Sequence, residues 1–232
     1  NFSQVTNPPI DSLRENKVMS LKTRFGNLGN ILDFDNLTEE DIFVLDSPIL
    51  TNSQFDRFCK IFSNKVKFID CTFDINFSLK ERIELIKKEC ETAVREGSST
   101  IILSDKRISS QRASIPSILS VGAVHSHLVK NSLRGYCSLN VECSDALDTH
   151  SFAVLIGVGA TTINPYLAID SIYQRFEKKL FGKSDFENCV SKFKKSIDSG
   201  LLKIMSKMGI SVISSYRGGC NFEAVGLSRA IV

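Results

Sequence analysis

The sequence lacks the long apolar segments that would place it in a membrane. No run of 18 or more uninterrupted apolar residues occurs among its 232 residues, whereas a spanning helix needs about 20. Its first residues, NFSQVTNPPIDSLRE, contain no basic stretch followed by an apolar core, as a secretory signal peptide would. We therefore expect a cytoplasmic protein without membrane contact. Since residue 1 is not Met, we also expect an excised piece of a longer chain.

Several residue classes are too scarce for other kinds of protein. With 13 glycines and 5 prolines, the chain is neither collagen-like nor a low-complexity repeat. Its 29 lysines and arginines barely outnumber its 26 aspartates and glutamates, which argues against nucleic acid as a partner. Hydrophobic residues make up 42% and charged residues 24%, which is typical of a globular protein of about one and a half domains.

Neither the cysteines nor the histidines form a recognisable metal site. The number of cysteines, seven, is odd, and no two of them stand in a CxxC pair. Such usage favours reduced, mostly buried thiols in a cytosolic protein, with a disulfide framework or a metal site as the alternative. His125 and His127 are two residues apart, which puts them on nearly opposite faces of a helix. We expect hydrogen-bonded packing roles for them rather than a shared metal ion.

Common nucleotide and nucleophile motifs are also absent. Neither GxxxxGKS nor GxxxxGKT is present, which excludes a P-loop, and no serine lies in GxSxG, which excludes the serine-hydrolase turn. The sequence GVGA at 157–160 follows a predicted helix rather than a strand and lacks the third glycine of a dinucleotide site. We interpret it as a helix stop.

From residue 65 onward, short apolar strands alternate with helices. The predicted strands are Val66–Asp70, Thr100–Leu103, Tyr136–Val141, Thr162–Asn164 and Ile210–Ser214. The predicted helices are 78–96, 115–131, 145–157, 166–181 and 185–208, the last broken near Gly200, with earlier helices at 11–19 and from Thr51 or Asn52 to Phe62. This alternation is typical of βα units. Five units do not close an eight-stranded barrel, so we expect an α/β fold with an open or partial TIM-barrel-like parallel sheet.

Three polar segments are candidates for chemistry. Residues 103–107 (LSDKR) follow a predicted parallel strand, at the edge where α/β proteins usually build their sites. Residues 18–26 (VMSLKTRFG) and 214–224 (SSYRGGCNFEA) each offer an arginine, hydroxyls and N–H groups near glycines, which suit phosphate or carboxylate. For all three, a solvated loop with ordinary turn chemistry is the alternative.

Motifs along nearly the whole chain resemble the central domain of the glutamate synthase large subunit. In chain order they are QVTNPPID (4–11), VMSL (18–21), LDSPIL (45–50), ILSD (102–105), IPSILSVGAVH (115–125), NPYLA (164–168), KIMSKMGI (203–210) and SYRGG (215–219). Their order and spacing are compatible with that family. One departure is Ser126, where family members often have a third histidine.

The resemblance implies a part in an enzyme that makes two glutamates from glutamine and 2-oxoglutarate. In that family the large subunit holds a glutaminase with a cysteine nucleophile, this central domain, an FMN-binding barrel with a 3Fe-4S cluster, and a β-helix. Ammonia crosses a tunnel that the central domain helps to wall. The implied partners are the glutaminase and FMN domains of the same polypeptide, with a small subunit or ferredoxin for the full enzyme.

The resemblance also implies an internal division and site residues. Residues 1–64 would be an irregular N-terminal segment, 65–182 the βα core, and 183–232 a helical link, last strand and approach to the FMN domain. The cofactor-site residues implied near FMN and 2-oxoglutarate are Met19, Ser20 and Arg24, with Tyr216 and Arg217 as weaker candidates. Arginine suits the role because its fork of donors matches a carboxylate or phosphate, and methionine because it packs adaptably against a flat ring.

No catalytic or metal-binding residue is expected in this chain. Residue 1 is Asn rather than the family's nucleophilic cysteine, and no closely spaced cysteine triplet is present. We therefore expect no cofactor and no catalysis in the isolated chain, with FMN and 3Fe-4S belonging to the full-length enzyme. A free-standing scaffold or regulatory protein derived from this domain and an independent flavin enzyme are the alternatives.

Overall fold

The computed structural model describes residues 14–25, 43–219 and 221. Its helices are α1 (Glu15–Val18), α2 (Asn52–Ile61), α3 (Leu79–Arg95), α4 (Ser117–Lys130), α5 (Thr149–Gly157), α6 (Tyr166–Glu177), α7 (Phe186–Lys207) and α8 (Ile213–Tyr216). Its strands are β1 (Thr23–Phe25), β2 (Phe43–Leu45), β3 (Val66–Asp70), β4 (Thr72–Asp74), β5 (Thr100–Ser104), β6 (Arg112–Ser114), β7 (Ser138–Glu142) and β8 (Thr162–Asn164). A short 3-10 helix, Arg134–Tyr136, precedes β7.

The core of the molecule is a parallel sheet of four strands in the order β3-β5-β7-β8. Alternate residues of β5 enter two different apolar clusters, because successive side chains point to opposite faces of a sheet. Ile102 packs with Phe55 and Phe58 of α2, whereas Ile101 and Leu103 belong to the larger cluster built with α3, α4 and α5. The predicted α/β class with a parallel sheet is confirmed, and the described strands do not close into a barrel.

The chain before α2 extends this sheet by one position. Ile49 forms a parallel bridge with Ile163 of β8, and Leu50 N donates to Ile163 O at 2.9 Å. The next residue begins α2 with a capping box, in which Thr51 Oγ1 accepts from Gln54 N at 3.3 Å and Gln54 Oε1 accepts from Thr51 N at 3.1 Å. The predicted start of this helix at Thr51 or Asn52 is confirmed.

The predicted helices between residues 65 and 181 agree with the structure apart from their ends. α3 lies within the predicted range 78–96, and Gly97 follows it with a φ of +96°. α5 begins at Thr149 rather than 145, because the Asp148 side chain accepts from Ser151 N at 2.8 Å and caps the helix there. α6 ends at Glu177, four residues earlier than predicted.

Two predictions for the C-terminal part were wrong. Residues 210–214 do not form a strand; only Val212 makes a single bridge, and α8 begins at Ile213. α7 is not broken near Gly200 but runs unbroken from residue 186 to 207. The glycine serves helix packing instead, since a Cβ there would lie 2.4 Å from Thr149 Cγ2 of α5.

The N-terminal part also differs from the sequence-based prediction. The two glycines and two asparagines within residues 24–30 favour a loop, yet Arg24 and Phe25 belong to β1, which pairs antiparallel with β2; residues 26–30 lie outside the described part. The helix expected at 11–19 is present as α1, with residues 11–13 outside the described part. The antiparallel pair of β4 and β6 was not predicted. The three-part division of the chain at 64 and 182 stays a prediction.

Three further properties bear on function. In the ranges that the structure covers, no helix is long and apolar enough to span a bilayer. Six cysteines in those ranges are free thiols, and Cys220 lies outside them. The same ranges contain no group of three or more His, Cys, Asp or Glu residues placed to hold a metal ion.

Candidate functional site

The two polar segments from the ends of the chain lie side by side. We call residues 19–25 the head segment and residues 210–219 the tail segment. Ser20 N donates to Ser211 O at 2.8 Å, and Ile213 N donates to Ser20 O at 3.0 Å, which forms a parallel bridge between Ser20 and Val212. The structure therefore brings together two segments that are almost 200 residues apart in sequence.

The head segment divides into a buried anchor and an exposed end. Met19 is 8% exposed and belongs to the main apolar core, so its side chain supports the segment from within. Ser20 Oγ accepts from Lys22 N at 3.2 Å. Arg24, opposite Val44 in the β1–β2 pair, is exposed. Of the three predicted site residues in this segment, Arg24 is the one whose side chain is open to a ligand.

Tyr216 fixes the tail segment onto α5. Its side chain is 1% exposed, and its hydroxyl donates to Ala153 O at 3.0 Å. Burial raises the pKa of Tyr216 to about 12, so the phenol stays protonated. Two residues later, Gly218 N donates to Ile156 O at 3.1 Å, which continues the attachment along the same helix. The role that these contacts support for Tyr216 is anchoring.

A basic cluster lies where the tail segment reaches the amino ends of β7 and β8. Arg134 donates from Nε to His125 Nδ1 at 3.1 Å, from Nη1 to Cys137 O at 2.6 Å, and from Nη2 to Gly159 O at 2.9 Å. Burial and the charges of Arg134 and Arg217 lower the pKa of His125 to about 4. The imidazole is therefore neutral at physiological pH and accepts a hydrogen bond at Nδ1.

His125 is enclosed by two glycines. A Cβ at Gly159 would lie 2.4 Å from His125 Cγ, and one at Gly218 would lie 2.9 Å from Cε1. His127, on the other side of α4, instead contacts Glu91 Oε2 through Nε2 at 2.7 Å. The predicted packing roles of His125 and His127, on different sides of their helix, are confirmed. Arg134 was not singled out from the sequence, because only the fold brings it to His125.

The side chains of the LSDKR segment (residues 103–107) take two different environments at the carboxyl edge of the sheet. Ser104 and Lys106 turn towards Glu142 at the end of β7, with Lys106 Nζ 3.1 Å from Glu142 Oε1. Asp105 is buried, and its Oδ2 accepts from Ser144 N and Oγ at 3.0 and 2.6 Å, whereas its Oδ1 has no hydrogen-bond partner in the described part of the chain. The segment therefore combines one structural acid with residues that face a groove.

This groove, of about 750 Å³, lies between α2 and the carboxyl edge of the sheet. Some of its charges are paired within the domain: Lys106 with Glu142, and Asp70 with Arg112 Nη2 at 2.8 Å. Its cysteine, Cys59, has a pKa raised to about 11 by burial and by nearby carboxylates, so it is a neutral thiol at pH 7. Glu142 was missed in the sequence; an acidic residue directly after an apolar strand was the available signal.

Comparison with known proteins relates the chain to one family. Residues 1–228 match the family model described as glutamate synthase central domain. The chain is 55% identical over 235 residues to the glutamate synthase (NADPH) large chain of Azospirillum brasilense, covering 100% of this chain and 15% of that one.

Two further similarities are more distant. The chain is 40% identical over 246 residues to the chloroplastic ferredoxin-dependent glutamate synthase of Spinacia oleracea, again covering 100% and 15% of the two chains. A solved structure of flavocytochrome b2 with sulfite bound aligns with a TM-score of 0.45 at 15% identity, over 79% of this chain and 57% of that one. The chain spans about 15% of the length of the curated relatives it matches.

Proposed function

Because the chain belongs to the glutamate synthase central domain family, we propose that it joins the glutaminase and FMN domains of a large chain and helps to wall their ammonia tunnel. The observation that carries this proposal is the match over the whole chain together with the 15% coverage of the relatives. The surrounding enzyme would convert glutamine and 2-oxoglutarate to two glutamates, with a small subunit or ferredoxin as electron supplier. We propose that the protein is cytoplasmic, because that compartment keeps free thiols such as the six described reduced.

The head segment is the part of the chain that we place towards FMN and 2-oxoglutarate. Arg24 supplies an exposed guanidinium for a carboxylate or phosphate group. Ser20 and Met19 hold the segment in position, the first through its bridge to Val212 and the second through core packing. Arg217 is a weaker candidate for the same role, and Tyr216 supports it by anchoring the tail segment.

Neither cofactor of the family finds a complete site among the residues that the structure describes. The ranges that the structure covers hold no three ligands suited to a metal or cluster, and four of their cysteines are buried: Cys71, Cys90, Cys137 and Cys143. The open sheet of four parallel strands lacks the closing strands beside which barrels bind phosphate. We propose that other segments hold FMN and 3Fe-4S, and that the isolated chain releases no ammonia from glutamine. Ammonia release above a heat-denatured control would contradict this.

The test of the tunnel and site role uses the full-length enzyme with Arg24→Ala, and Lys22→Ala as a matched control. Both residues are exposed cations of the head segment. We expect Arg24→Ala to lower glutamate formation from 2-oxoglutarate while glutamine hydrolysis continues, so that ammonia appears in solution. Lys22→Ala should behave as wild type. Wild-type coupling in Arg24→Ala, or an equal defect in both variants, would contradict the proposal.

A further inference from the structure

The basic cluster at the amino ends of β7 and β8 differs from the other arginine sites of the molecule. Four arginines in the described ranges are partly buried. Arg82 and Arg112 pair with carboxylates, Glu89 at 2.7 Å and Asp70 at 2.8 Å. Arg134 and Arg217 have no ion pair with any residue of those ranges. Arg134 and Arg217 are therefore partly buried cations without a counter-charge from this part of the chain.

The two arginines differ in how their donors are used. Arg134 satisfies its guanidinium with neutral acceptors, namely a ring nitrogen of His125, two backbone carbonyls and the hydroxyl of Thr161. The Arg217 side chain donates to none of the residues that the structure covers. Burial and the charge of Arg134 lower the pKa of Arg217 to about 10, so Arg217 remains a cation at neutral pH. Its five donors are available to a group from elsewhere.

The residue after Arg217 packs against the His125 ring. Since Arg134 donates to Nδ1 of His125, the neutral ring carries its proton on Nε2. Nε2 faces Gly218, the residue next to Arg217, and a Cβ at Gly218 would lie 3.0 Å from it. Glycine at this position lets the chain pack closely against the ring, and its φ of +69° turns the chain there. The turn that carries Arg217 is therefore held against His125.

We propose that the Arg217 guanidinium binds an oxyanion, a carboxylate or phosphate group that the described residues do not supply. Arginine binds both groups through parallel N–H···O bonds. The oxyanion has two possible sources, a free anion from solution or an acidic side chain from another part of the full-length polypeptide. This inference stands on the local charges and does not require the tunnel role proposed above.

The test uses the purified full-length enzyme and the variants Arg217→Lys and Arg217→Met, with Arg175→Met as an exposed control. Lysine keeps the charge and methionine keeps the apolar stem. Melting temperatures are measured in inorganic phosphate and in sodium chloride of equal ionic strength. If a free anion binds, phosphate raises the wild-type melting temperature by about 2 °C or more, and Arg217→Met abolishes the rise. If a carboxylate of the polypeptide binds, phosphate has no effect, and Arg217→Met melts lower than both Arg217→Lys and Arg175→Met.

Three outcomes would overturn the proposal. Arg217→Met melting at or above the wild-type temperature without a phosphate effect would show that the charge is unpaired in the enzyme. Equal losses in the lysine and methionine variants would show that the charge is not what matters. A phosphate effect that persists in Arg217→Met would place the anion elsewhere.

Discussion

The two ends of the parallel sheet differ in whether their charged side chains form ion pairs within the domain. At the carboxyl end, Glu142 is paired with Lys106 and Asp70 with Arg112. At the amino end, Arg134 donates its hydrogen bonds to neutral acceptors. Neither Arg134 nor Arg217 has an acidic partner in the described ranges. Glu142 and Asp70 at the carboxyl end therefore have cationic partners within the domain, whereas Arg134 and Arg217 at the amino end have no acidic partner among the described residues.

The cations without acidic partners lie at the opposite end of the strands from the active sites of complete barrels. Complete (βα)8 barrels build their active sites at the carboxyl ends of the strands and use the amino ends for stability. Here the carboxyl edge carries ion pairs formed within the domain, and it borders the groove beside α2.

The largest expected effect is at Gly159, beside the amino-end cluster. A Cβ there would lie 2.4 Å from His125 Cγ, and the φ of +125° already disfavours a side chain. Gly159→Ala should lower the free energy of unfolding by about 3 kcal/mol. Gly97 is the matched control, because its φ is +96° and nothing lies within 4 Å of its Cβ position; Gly97→Ala should cost about 1 kcal/mol. Urea unfolding measures both, and equal losses would mean that enclosure of His125 contributes nothing.

The next effect is expected at Asp105, on the carboxyl side. Asp105→Ala removes the acceptor of the Ser144 N–H and hydroxyl, and should destabilise the protein by about 2 kcal/mol. Asp105→Asn keeps an acceptor oxygen for Ser144, and should cost about 1 kcal/mol because it loses only the charge-assisted strength of these bonds. Urea unfolding of the two variants gives the comparison. An unchanged free energy of unfolding in Asp105→Ala would show that the hydrogen bonds from Ser144 to Asp105 do not stabilise the carboxyl end.

The pH dependence of stability should depend on His125. Its folded pKa of about 4 lies below the ordinary value of 6.5, so the unfolded chain takes up a proton first as pH falls. Stability contributed by the neutral ring is therefore present above pH 6.5 and lost between 6.5 and about 4. His125→Gln should make the slope of unfolding free energy against pH shallower, by less than about 1.4 kcal/mol per pH unit.

The matched control for this slope is His127→Gln in the same helix, where the ring contacts Glu91 instead. That substitution should leave the His125 contribution in place. Urea unfolding at several pH values between 4 and 7 provides the data. An unchanged slope in His125→Gln would mean that the ring is protonated in the folded protein.

The smallest effect on stability is expected at Arg24. The side chain is exposed on a short strand, so Arg24→Ala should change the free energy of unfolding by under about 0.5 kcal/mol. Any loss of glutamate formation in this variant would then report on the site rather than on folding. A larger loss of stability, measured by urea unfolding, would assign the residue a structural role.

The fold could be predicted where the evidence is local. The spacing of apolar residues in α3, the buried run TIIL of β5 and the polar cap at Thr51 all act within one turn or one strand. The run ISVIS was wrongly predicted as a strand because β propensity depends on neighbouring strands, and its one strand-like contact among the described residues is the bridge between Val212 and Ser20. Gly200 was wrongly predicted to break a helix, because glycine is needed there for close packing against Thr149 of α5.

The segments that form the candidate sites could be predicted from the sequence, but the contacts between those segments could not. Hydroxyls, arginines and glycines identified the head and tail segments, and the sequence contained no sign that Ser20 pairs with the tail. Burial of Met19 and Tyr216 depends on packing against elements far away in the chain. The sequence likewise did not show that Arg217 would lie beside Arg134, since charge pairing is decided by the fold.

The most direct test of the contrast between the two ends is an experimental structure of a full-length large chain containing this domain. At side-chain resolution, it shows what contacts the Arg217 guanidinium. We predict an oxygen of a carboxylate or phosphate at about 2.7–2.9 Å from a guanidinium nitrogen, with Arg134 still donating to His125. An Arg217 surrounded only by water and neutral groups would contradict the claim that the amino end is completed by an anion.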